Sequence, residues 1–279
     1  MDLRRQRDCE EWLAQHRPDA VFVAAATVGG IQANNTRPAE FIYDNLIIAA
    51  NVVHAAHLAG VSKLMVLGSS CIYPKMAAQP ITESALMTGA LEPTNQWYAM
   101  AKLAAIRMAQ AYRRQYGRDF IAVMPTSLYG PGDNYDAGSA HVIPALMVKC
   151  NQAKLRGDRT IPVWGSGRPR REFLYIDDLA DALVFLMQRY SEEDHVNIGC
   201  GADVSIAELA TLVANAVGFQ GTFEYDRTKP DGTPRKLLDV SRMQAMGWQP
   251  TVALEDGLRR TYAAFLKLAA ARPAPVPAE

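Results

Sequence analysis

The chain has 279 residues, of which 49% are hydrophobic and 21% charged, and its 29 basic residues balance its 29 acidic ones. This apolar content excludes a disordered chain and suits one compact unit or two closely joined lobes. A formal charge of zero argues against nucleic-acid binding, and no apolar run approaches the ~20 residues of a membrane span. The four cysteines are scattered without a Cys-x-x-Cys pair, so we expect a reduced, cytoplasmic protein.

The first part of the chain alternates helical and strand patterns. Residues 8–16 predict the end of an amphipathic helix, and the continuous apolar run 20–26 predicts a buried strand of a parallel sheet. Residues 38–60 predict a long helix with a broad apolar arc. Its His54 and His57 have no third metal ligand in view, so packing or helix capping explains them better than a metal site.

Potential chemistry begins where the next strand ends. The apolar run 64–67 predicts a buried strand that stops at Gly68, which places Ser69 and Cys71 at its carboxyl end. Open α/β sheets bind their ligands at this edge. A serine hydroxyl in such a position can hold the oxygen of a carbonyl group.

Tyr98 and Lys102 lie four residues apart in a pattern that predicts a helix continuing to Tyr116, with Gly117 as its C-terminal signal. Both side chains then lie on one face of that helix. A nearby ammonium favours the phenolate and lowers the pKa of a tyrosine, which is about 10 in free solution. With Ser69 the pair can polarise a ketone for hydride transfer, although Tyr-x-x-x-Lys alone occurs by chance in many helices.

The second half of the chain continues the alternation. Residues 120–124 predict another buried strand, and 138–154 predict a loop that leads into a helix with His141 at its start. A strand passes into a helix over 173–183, where Asp177 is a suitable N-cap.

Several motifs of this chain resemble the extended short-chain dehydrogenase/reductase family, and the likeness covers nearly the whole sequence. It centres on the strand-end serine and cysteine followed by the Tyr-x-x-x-Lys pair. The likeness is to a particular group within the superfamily, because matching segments continue through the second half of the chain. The segments that carry it are 28–35, 68–75, 91–95, 98–102, 139–146, 164–167, 171–173 and 229–236.

The resemblance implies an α/β fold with a doubly wound, Rossmann-like parallel sheet and a smaller C-terminal α/β lobe. We expect an NADP-binding lobe over 1–135 with 172–196, a nucleotide-sugar-binding lobe over 136–171 with 197–270, and a disordered tail over 271–279. Members of the family begin with a strand, a Gly-x-x-Gly-x-x-Gly loop and a helix, and the likeness starts beyond that unit. We therefore expect the chain as written to bind NADPH poorly or not at all, since that unit holds the pyrophosphate.

The activity implied by the resemblance has two stages. The first inverts C3 and C5 of GDP-4-keto-6-deoxy-D-mannose, and the second reduces C4 with NADPH to give GDP-L-fucose. We expect Cys71 to be the base and His141 the acid of the inversions, because a thiol needs only a modest fall in pKa to act at neutral pH. Ser69 and Tyr98 would hold the oxyanion. Tyr98 would also donate the proton in the reduction, tuned by Lys102.

The same resemblance implies the binding residues, a homodimer built through helices such as that of Tyr98, and no metal. Ser127 replaces the asparagine of related enzymes, and its shorter side chain keeps a polar group but loses the reach of the amide toward the cofactor. NADP would contact Leu67, Gly68, Ser69, Tyr98, Lys102, Pro125, Thr126, Ser127, Leu128 and His141. The GDP-sugar would contact Lys149, Trp164, Arg171 and Asp231; among these, the indole offers a flat surface and the guanidinium a fork for the diphosphate.

Two other hypotheses stay open from the sequence. One is another NAD(P)-dependent nucleotide-sugar epimerase or reductase on the same Ser-Tyr-Lys scaffold, which would not require the pair Cys71 and His141. The other is a nucleotide-sugar-binding protein without catalysis, which is motivated by the start of the likeness beyond the glycine-rich unit.

Overall fold

The structure is a computed structural model that describes residues 1–136, 138–229 and 231–271, and strands alternate with helices along it. The strands are β1 (Ala20–Val23), β2 (Lys63–Leu67), β3 (Asp119–Pro125), β4 (Ser127–Tyr129), β5 (Thr160–Trp164), β6 (Arg170–Tyr175), β7 (Val196–Ile198), β8 (Asp203–Ser205), β9 (Thr222–Asp226) and β10 (Arg235–Lys236). The helices are α1 (Gln6–His16), α2 (Ile31–Thr36), α3 (Pro38–Leu58), α4 (Gln96–Tyr116), α5 (Val142–Arg156), α6 (Ile176–Arg189), α7 (Ile206–Val217), α8 (Ser241–Ala245) and α9 (Leu254–Ala271). The predicted α/β class is confirmed.

The central sheet has four parallel strands in the order β1-β2-β3-β7. Side chains of a strand alternate between its two faces, and β2 shows this directly. Its Leu64 and Val66 pack with α1, α3 and α4, whereas Met65 and Leu67 pack with α6 and α8. Helices therefore cover both faces of the sheet, which is the doubly wound arrangement that the continuous apolar strands predict.

A second core lies in the C-terminal part of the chain. Helices α5, α7 and α9 contribute Met147, Leu209 and Leu258 to it, packed against β5 and β6. Strand β6 pairs with β4, β8 and β10, and β5 pairs with β9. These smaller sheets carry the segments that the sequence assigns to the nucleotide-sugar, while the proposed boundaries of the two lobes stay a prediction.

Three local features differ from expectation or complete it. The strand predicted over 20–26 ends at Val23, because its pairing with β2 stops there. Tyr175, not Asp177, is the N-cap of α6, and the Asp177 carboxylate lies in the first turn, where it still favours the helix dipole. Helix α9 reaches Ala271, the first residue of the predicted tail, and 272–279 lie outside the described residues. Within the described ranges, no helix is both long and apolar enough to cross a membrane.

A buried polar network joins β7 to the segments packed against its end. Asn197 donates through Nδ2 to the carbonyl oxygens of Ile81 (2.9 Å) and Asp239 (3.1 Å), which fixes the orientation of its amide. Its Oδ1 accepts a hydrogen bond from the Tyr73 hydroxyl at 2.6 Å. Because a hydroxyl has one proton, Nε2 of His195, 2.8 Å away, must carry a proton and donate it to the Tyr73 oxygen. His195 is therefore held as the neutral Nε2–H tautomer.

We expect His195 to make the folded protein sensitive to acid. Burial lowers the pKa of His195 from 6.5 to about 4, and the residue is only 4% exposed. The pKa of His195 is lower in the folded protein than in the unfolded chain. The stability that depends on neutral His195 is therefore fully present above the unfolded pKa and is lost as the pH falls toward the folded pKa. The loss in free energy of unfolding should approach about 3 kcal/mol. Denaturant unfolding across this pH range should show a clearly smaller loss in His195→Gln, and equal losses in the two proteins would contradict the prediction.

Candidate active site

The predicted catalytic side chains Ser69, Tyr98 and Lys102 meet where β2 ends and α4 begins. Helix α4 starts two residues before Tyr98, so its first turns direct Tyr98 and Lys102 from one face. The strand and the helix approach closely because Gly68 has no side chain. A Cβ atom there would lie 2.9 Å from Ile106 Cδ1 on α4 and 3.1 Å from the carbonyl oxygen of Val123 on β3.

Ser69 organises the turn that follows the strand. Its Oγ accepts a long hydrogen bond, 3.5 Å, from the backbone N–H of Cys71 and so caps the 3-10 turn Ser70–Ile72. This local cap holds the serine and the cysteine side by side at the carboxyl end of β2. The sequence prediction that both residues lie at this edge is confirmed.

Lys102 is fixed and nearly buried. Its Nζ donates to the carbonyl oxygen of Leu67 at 2.9 Å, and it lies 5.9 Å from the centre of the Tyr98 ring. The residue is 7% exposed, and burial lowers its pKa to about 8, with Cys71 acting in the opposite direction. The carbonyl of the last strand residue therefore sets the position of the ammonium.

The predicted lowering of the Tyr98 pKa by Lys102 is wrong for this structure. Burial raises the pKa of Tyr98, Cys71 acts in the same direction, and the Ser69 hydroxyl opposes both. The ammonium of Lys102 donates to Leu67 rather than to the phenol, so the loss of water around the phenolate dominates. Tyr98 is accordingly a neutral phenol, which is the form that can give up a proton.

Cys71 does not have the lowered pKa that its predicted role as a base requires. Burial raises the pKa of its thiol, and the opposing effects come from Lys236, the Ser69 hydroxyl and Lys102, in that order. The two lysine charges lower the pKa of the thiol as expected, but desolvation raises it by more. Lys236 is a residue of this site that the sequence did not single out, although it ends the 229–236 segment of the family resemblance.

His141 is the N-cap of α5, but its side chain makes no capping hydrogen bond. A capping role therefore does not account for the imidazole. Burial lowers the pKa of His141, Asp133 opposes this shift and Lys236 reinforces it. The loop before α2 is joined to the segment before His141, since the Gly30 N–H donates to the carbonyl oxygen of Ser139 at 3.0 Å. His141 and Cys71 thus both lie within electrostatic reach of one lysine.

On the predicted substrate side, Trp164 presents an open surface and Asp231 supports it. Trp164 is 56% exposed, and Nζ of Lys229 lies 5.5 Å from the centre of its ring. Asp231 accepts hydrogen bonds from the Ser166 N–H (2.6 Å) and hydroxyl (2.8 Å). Gly165, with φ of +84°, forms the turn between Trp164 and Ser166. Asp231 therefore braces the turn that follows the indole.

Two predicted substrate cations have no acidic partner within 4 Å among the described residues. Nη1 of Arg171 donates to the backbone carbonyl of Arg170 at 2.8 Å, and burial lowers its pKa. Nζ of Lys149 donates to the carbonyl of Pro162 on β5 at 3.0 Å, and burial lowers its pKa as well. Half-buried cations without carboxylates suit an anionic ligand such as a diphosphate.

The groups at the end of β2 fit the nicotinamide end of a dinucleotide. Ser69, Tyr98 and Lys102 offer two hydroxyls and an ammonium at the carboxyl edge of a parallel sheet, which is where such cofactors bind. Thr126 is bound to the backbone on both sides, since its N–H donates to the carbonyl oxygen of Ile198 (2.9 Å) and its hydroxyl to the carbonyl oxygen of Glu172 (3.3 Å). It therefore contributes the shape of the wall more than a free polar group. The other predicted cofactor contacts, Pro125, Ser127 and Leu128, lie on either side of it at the end of β3 and in β4.

This fold and this group of side chains define the class of NAD(P)-dependent nucleotide-sugar epimerases and reductases. The model of the NAD dependent epimerase/dehydratase family matches residues 1–199. The chain is 58% identical to GDP-L-fucose synthase 1 of Arabidopsis thaliana, over 96% of this chain and 83% of that protein. It is 56% identical to the GDP-L-fucose synthase of Sinorhizobium fredii, over 95% of this chain and 85% of that protein.

The fold comparison agrees with these relatives. The solved GDP-L-fucose synthetase from Naegleria fowleri bound to NADP is similar with a TM-score of 0.87 at 29% identity, over 97% of this chain and 84% of that chain. The chain belongs to the NAD-dependent epimerase/dehydratase family and, within it, to the GDP-L-fucose synthases.

Proposed function

We propose that the chain is an NADPH-dependent GDP-L-fucose synthase that inverts C3 and C5 of GDP-4-keto-6-deoxy-D-mannose and then reduces C4. The observation that supports it most is the meeting of Cys71 with Ser69, Tyr98 and Lys102 at one strand end. A simple 4-epimerase or 4-reductase uses the last three groups but does not require the thiol.

In the inversions, the 4-keto group acidifies the protons on C3 and C5. The thiolate of Cys71 removes a proton, the electron pair of the broken C–H bond moves onto the ketone oxygen, and His141 returns a proton from the opposite face. The hydroxyls of Ser69 and Tyr98 stabilise the oxyanion by donating hydrogen bonds to it. The raised pKa of Tyr98 and the lowered pKa of His141 describe the protein before substrate reaches these groups.

In the reduction, bound NADPH supplies the hydride. Ser69, Tyr98 and Lys102 would hold the nicotinamide half, together with Leu67, Gly68 and the 125–128 segment. Tyr98 gives its proton to the C4 oxygen as the hydride arrives at C4, which balances the charge. Lys102, held by the Leu67 carbonyl, stabilises the phenolate that remains.

Arg171 is proposed to bind the diphosphate, and Arg171→Ala should weaken GDP binding by about 2–5 kcal/mol. Removing one partner of a desolvated charge pair has an effect of this size. Arg171 is a suitable anchor because its guanidinium has no carboxylate within salt-bridge distance among the described residues. Calorimetry with GDP measures the effect. Arg168→Ala, at an exposed neighbour, is the control, and equal affinities of parent and Arg171→Ala would return Arg171 to an ordinary surface charge.

The oligomer and the compartment are part of the same proposal. Tyr43 and Leu58 on α3 and Trp97 and Met100 on α4 are large, exposed apolar side chains, which supports a homodimer through these two helices. Sedimentation as a monomer at micromolar concentration would contradict it. The free cysteines fit the reducing cytoplasm.

The test of the function uses the purified full chain with GDP-4-keto-6-deoxy-D-mannose in deuterated water. We expect deuterium at C3 and C5 and, with NADPH added at a concentration high enough to offset its poor binding, oxidation of the cofactor and formation of GDP-L-fucose. NADPH oxidation without exchange at C3 and C5 would indicate a simple 4-reductase. Binding of GDP with neither exchange nor oxidation would indicate a nucleotide-sugar-binding protein.

A further inference from the structure

Lys236 shares a small cavity with Cys71, and none of the roles described so far uses it. The cavity has a volume of about 10 Å³, and its lining includes Cys71, Glu92, Asn95 and Lys236. A volume of this order admits about one water molecule, so the groups around it are close neighbours with little bulk solvent between them. The charge of Lys236 is therefore weakly screened from the thiol.

The backbone that carries Lys236 is held on two sides. On one side β10 pairs with β6, which places Lys236 opposite Arg171. On the other side the Gln79 amide accepts from the Leu237 N–H at 2.9 Å and donates to the Arg235 carbonyl at 3.1 Å. Gln79 thus holds both neighbours of Lys236 to the segment that follows Cys71. The fold therefore fixes the backbone of Lys236 relative to the segment that follows the thiol.

The ammonium of Lys236 makes no hydrogen bond or ion pair with the described residues. Glu92, an acidic residue in the lining of the cavity, is bound to other groups. Its Oε2 accepts from Nζ of Lys75 at 2.9 Å and from the Thr233 hydroxyl at 3.4 Å. A half-buried cation without a carboxylate stabilises any anion that forms beside it. Tyr73 also lines the cavity, but its hydroxyl donates to Asn197 and burial raises its pKa, so Cys71 is the group there that can become such an anion.

We propose that Lys236 is a positioning residue for the inversions, whose ammonium stabilises the thiolate of Cys71 and so prepares the base. The proposal rests on the proposed function, in which Cys71 removes the protons from C3 and C5. Lys236 acts through the thiol and is distinct from the Ser-Tyr-Lys group that holds the oxyanion.

The electrostatics of the site agree with this geometry. Burial raises the pKa of Cys71, and Lys236 is the strongest of the groups that oppose it. The effect is reciprocal, because burial lowers the pKa of Lys236 and Cys71 is the strongest group that opposes that shift.

The other charged or titratable groups around the thiol do not replace Lys236. From α4, Lys102 has a weaker effect on Cys71 and is bound to the Leu67 carbonyl, while Tyr98 is a neutral phenol. Arg171 from β6 lowers the pKa of Lys236 and Glu92 raises it. Burial lowers the pKa of His141, which disfavours its cationic form beside the thiol.

The test measures how fast iodoacetamide alkylates Cys71 as a function of pH, with the Cys71 peptide followed by mass spectrometry to separate it from the other cysteines. Lys236→Met keeps the length of the side chain and removes the charge. We expect its alkylation rate below the thiol pKa to fall about tenfold, the effect of one pKa unit on the thiolate fraction. Lys236→Arg should stay near the parent because it keeps the charge. Lys267→Met, at an exposed position on α9, is the matched control and should leave the rate unchanged.

The pH profile of deuterium exchange provides the catalytic readout. In Lys236→Met it should move to higher pH, with the KM for the GDP-sugar changed by less than about threefold. An alkylation profile equal to that of the parent would overturn the proposal. Weaker GDP binding in that case would assign Lys236 to the diphosphate beside Arg171. Alkylation needs no substrate, so this failure is distinct from failure of the proposed function, which the exchange assay on Cys71→Ser detects.

Discussion

Cys71→Ser should abolish solvent deuterium exchange at C3 and C5 while the affinity for the GDP-sugar stays within about twofold. A serine hydroxyl keeps nearly the shape of the thiol but is far less acidic, so the base is lost and the cavity is preserved. We expect the exchange rate to fall by at least about 10²–10⁴-fold, the usual contribution of a positioned acid or base. Mass spectrometry of the recovered sugar in deuterated water measures it.

Two variants make this result specific. Cys200→Ser changes another partly exposed cysteine, whose thiol donates to the carbonyl of Ala202, and it should exchange like the parent. His141→Gln should impair the return of the proton and lower the yield of inverted sugar. Exchange at the parent rate in Cys71→Ser would show that another group is the base.

Tyr98→Phe should lower the rate of hydride transfer by about 10²–10⁴-fold and leave the fold intact. The substitution removes the proton donor to the C4 oxygen but keeps the ring, which packs edge to face on Phe41 with centres 6.4 Å apart. Single-turnover oxidation of NADPH with an already inverted sugar isolates this step from the inversions.

A tyrosine on the same helix supplies the control. Tyr112 lies further along α4, and its hydroxyl pairs with Nδ1 of His54 at 2.7 Å. Tyr112→Phe should therefore reduce the sugar at the parent rate. If Tyr98→Phe turned over within a few-fold of the parent, Tyr98 would not be the proton donor.

Much of the site could be predicted because its determinants are local. The apolar run before Gly68 is enough to place Ser69 and Cys71 at a strand end, and the spacing of Tyr98 and Lys102 is enough to put them on one face of α4. Both predictions depend on neighbours within a few residues along the chain. The structure confirms them.

The ionisation of these groups and the role of Lys236 could not be predicted, because they depend on burial and on contacts between distant segments. The sequence places Lys102 near Tyr98 but does not show that its ammonium binds the Leu67 carbonyl. It also does not show that β10 is joined to the segment after Cys71 through Gln79. Desolvation, which dominates the pKa of both Tyr98 and Cys71, is a property of the packed protein.

The missing side chain at Gly68 has a consequence for how such a site can vary. A methyl group at this position would lie 2.9 Å from Ile106 Cδ1 on α4 and 3.0 Å from Met124 Sδ on β3, both closer than a normal contact. The ends of these two side chains would have to move, and the backbone carbonyl oxygen of Val123, 3.1 Å away, would crowd the new methyl group next to Leu67, whose carbonyl holds Lys102. The proposed chemistry therefore depends on the distance between α4 and the sheet, and Gly68, which has no reactive group, allows that distance to be short.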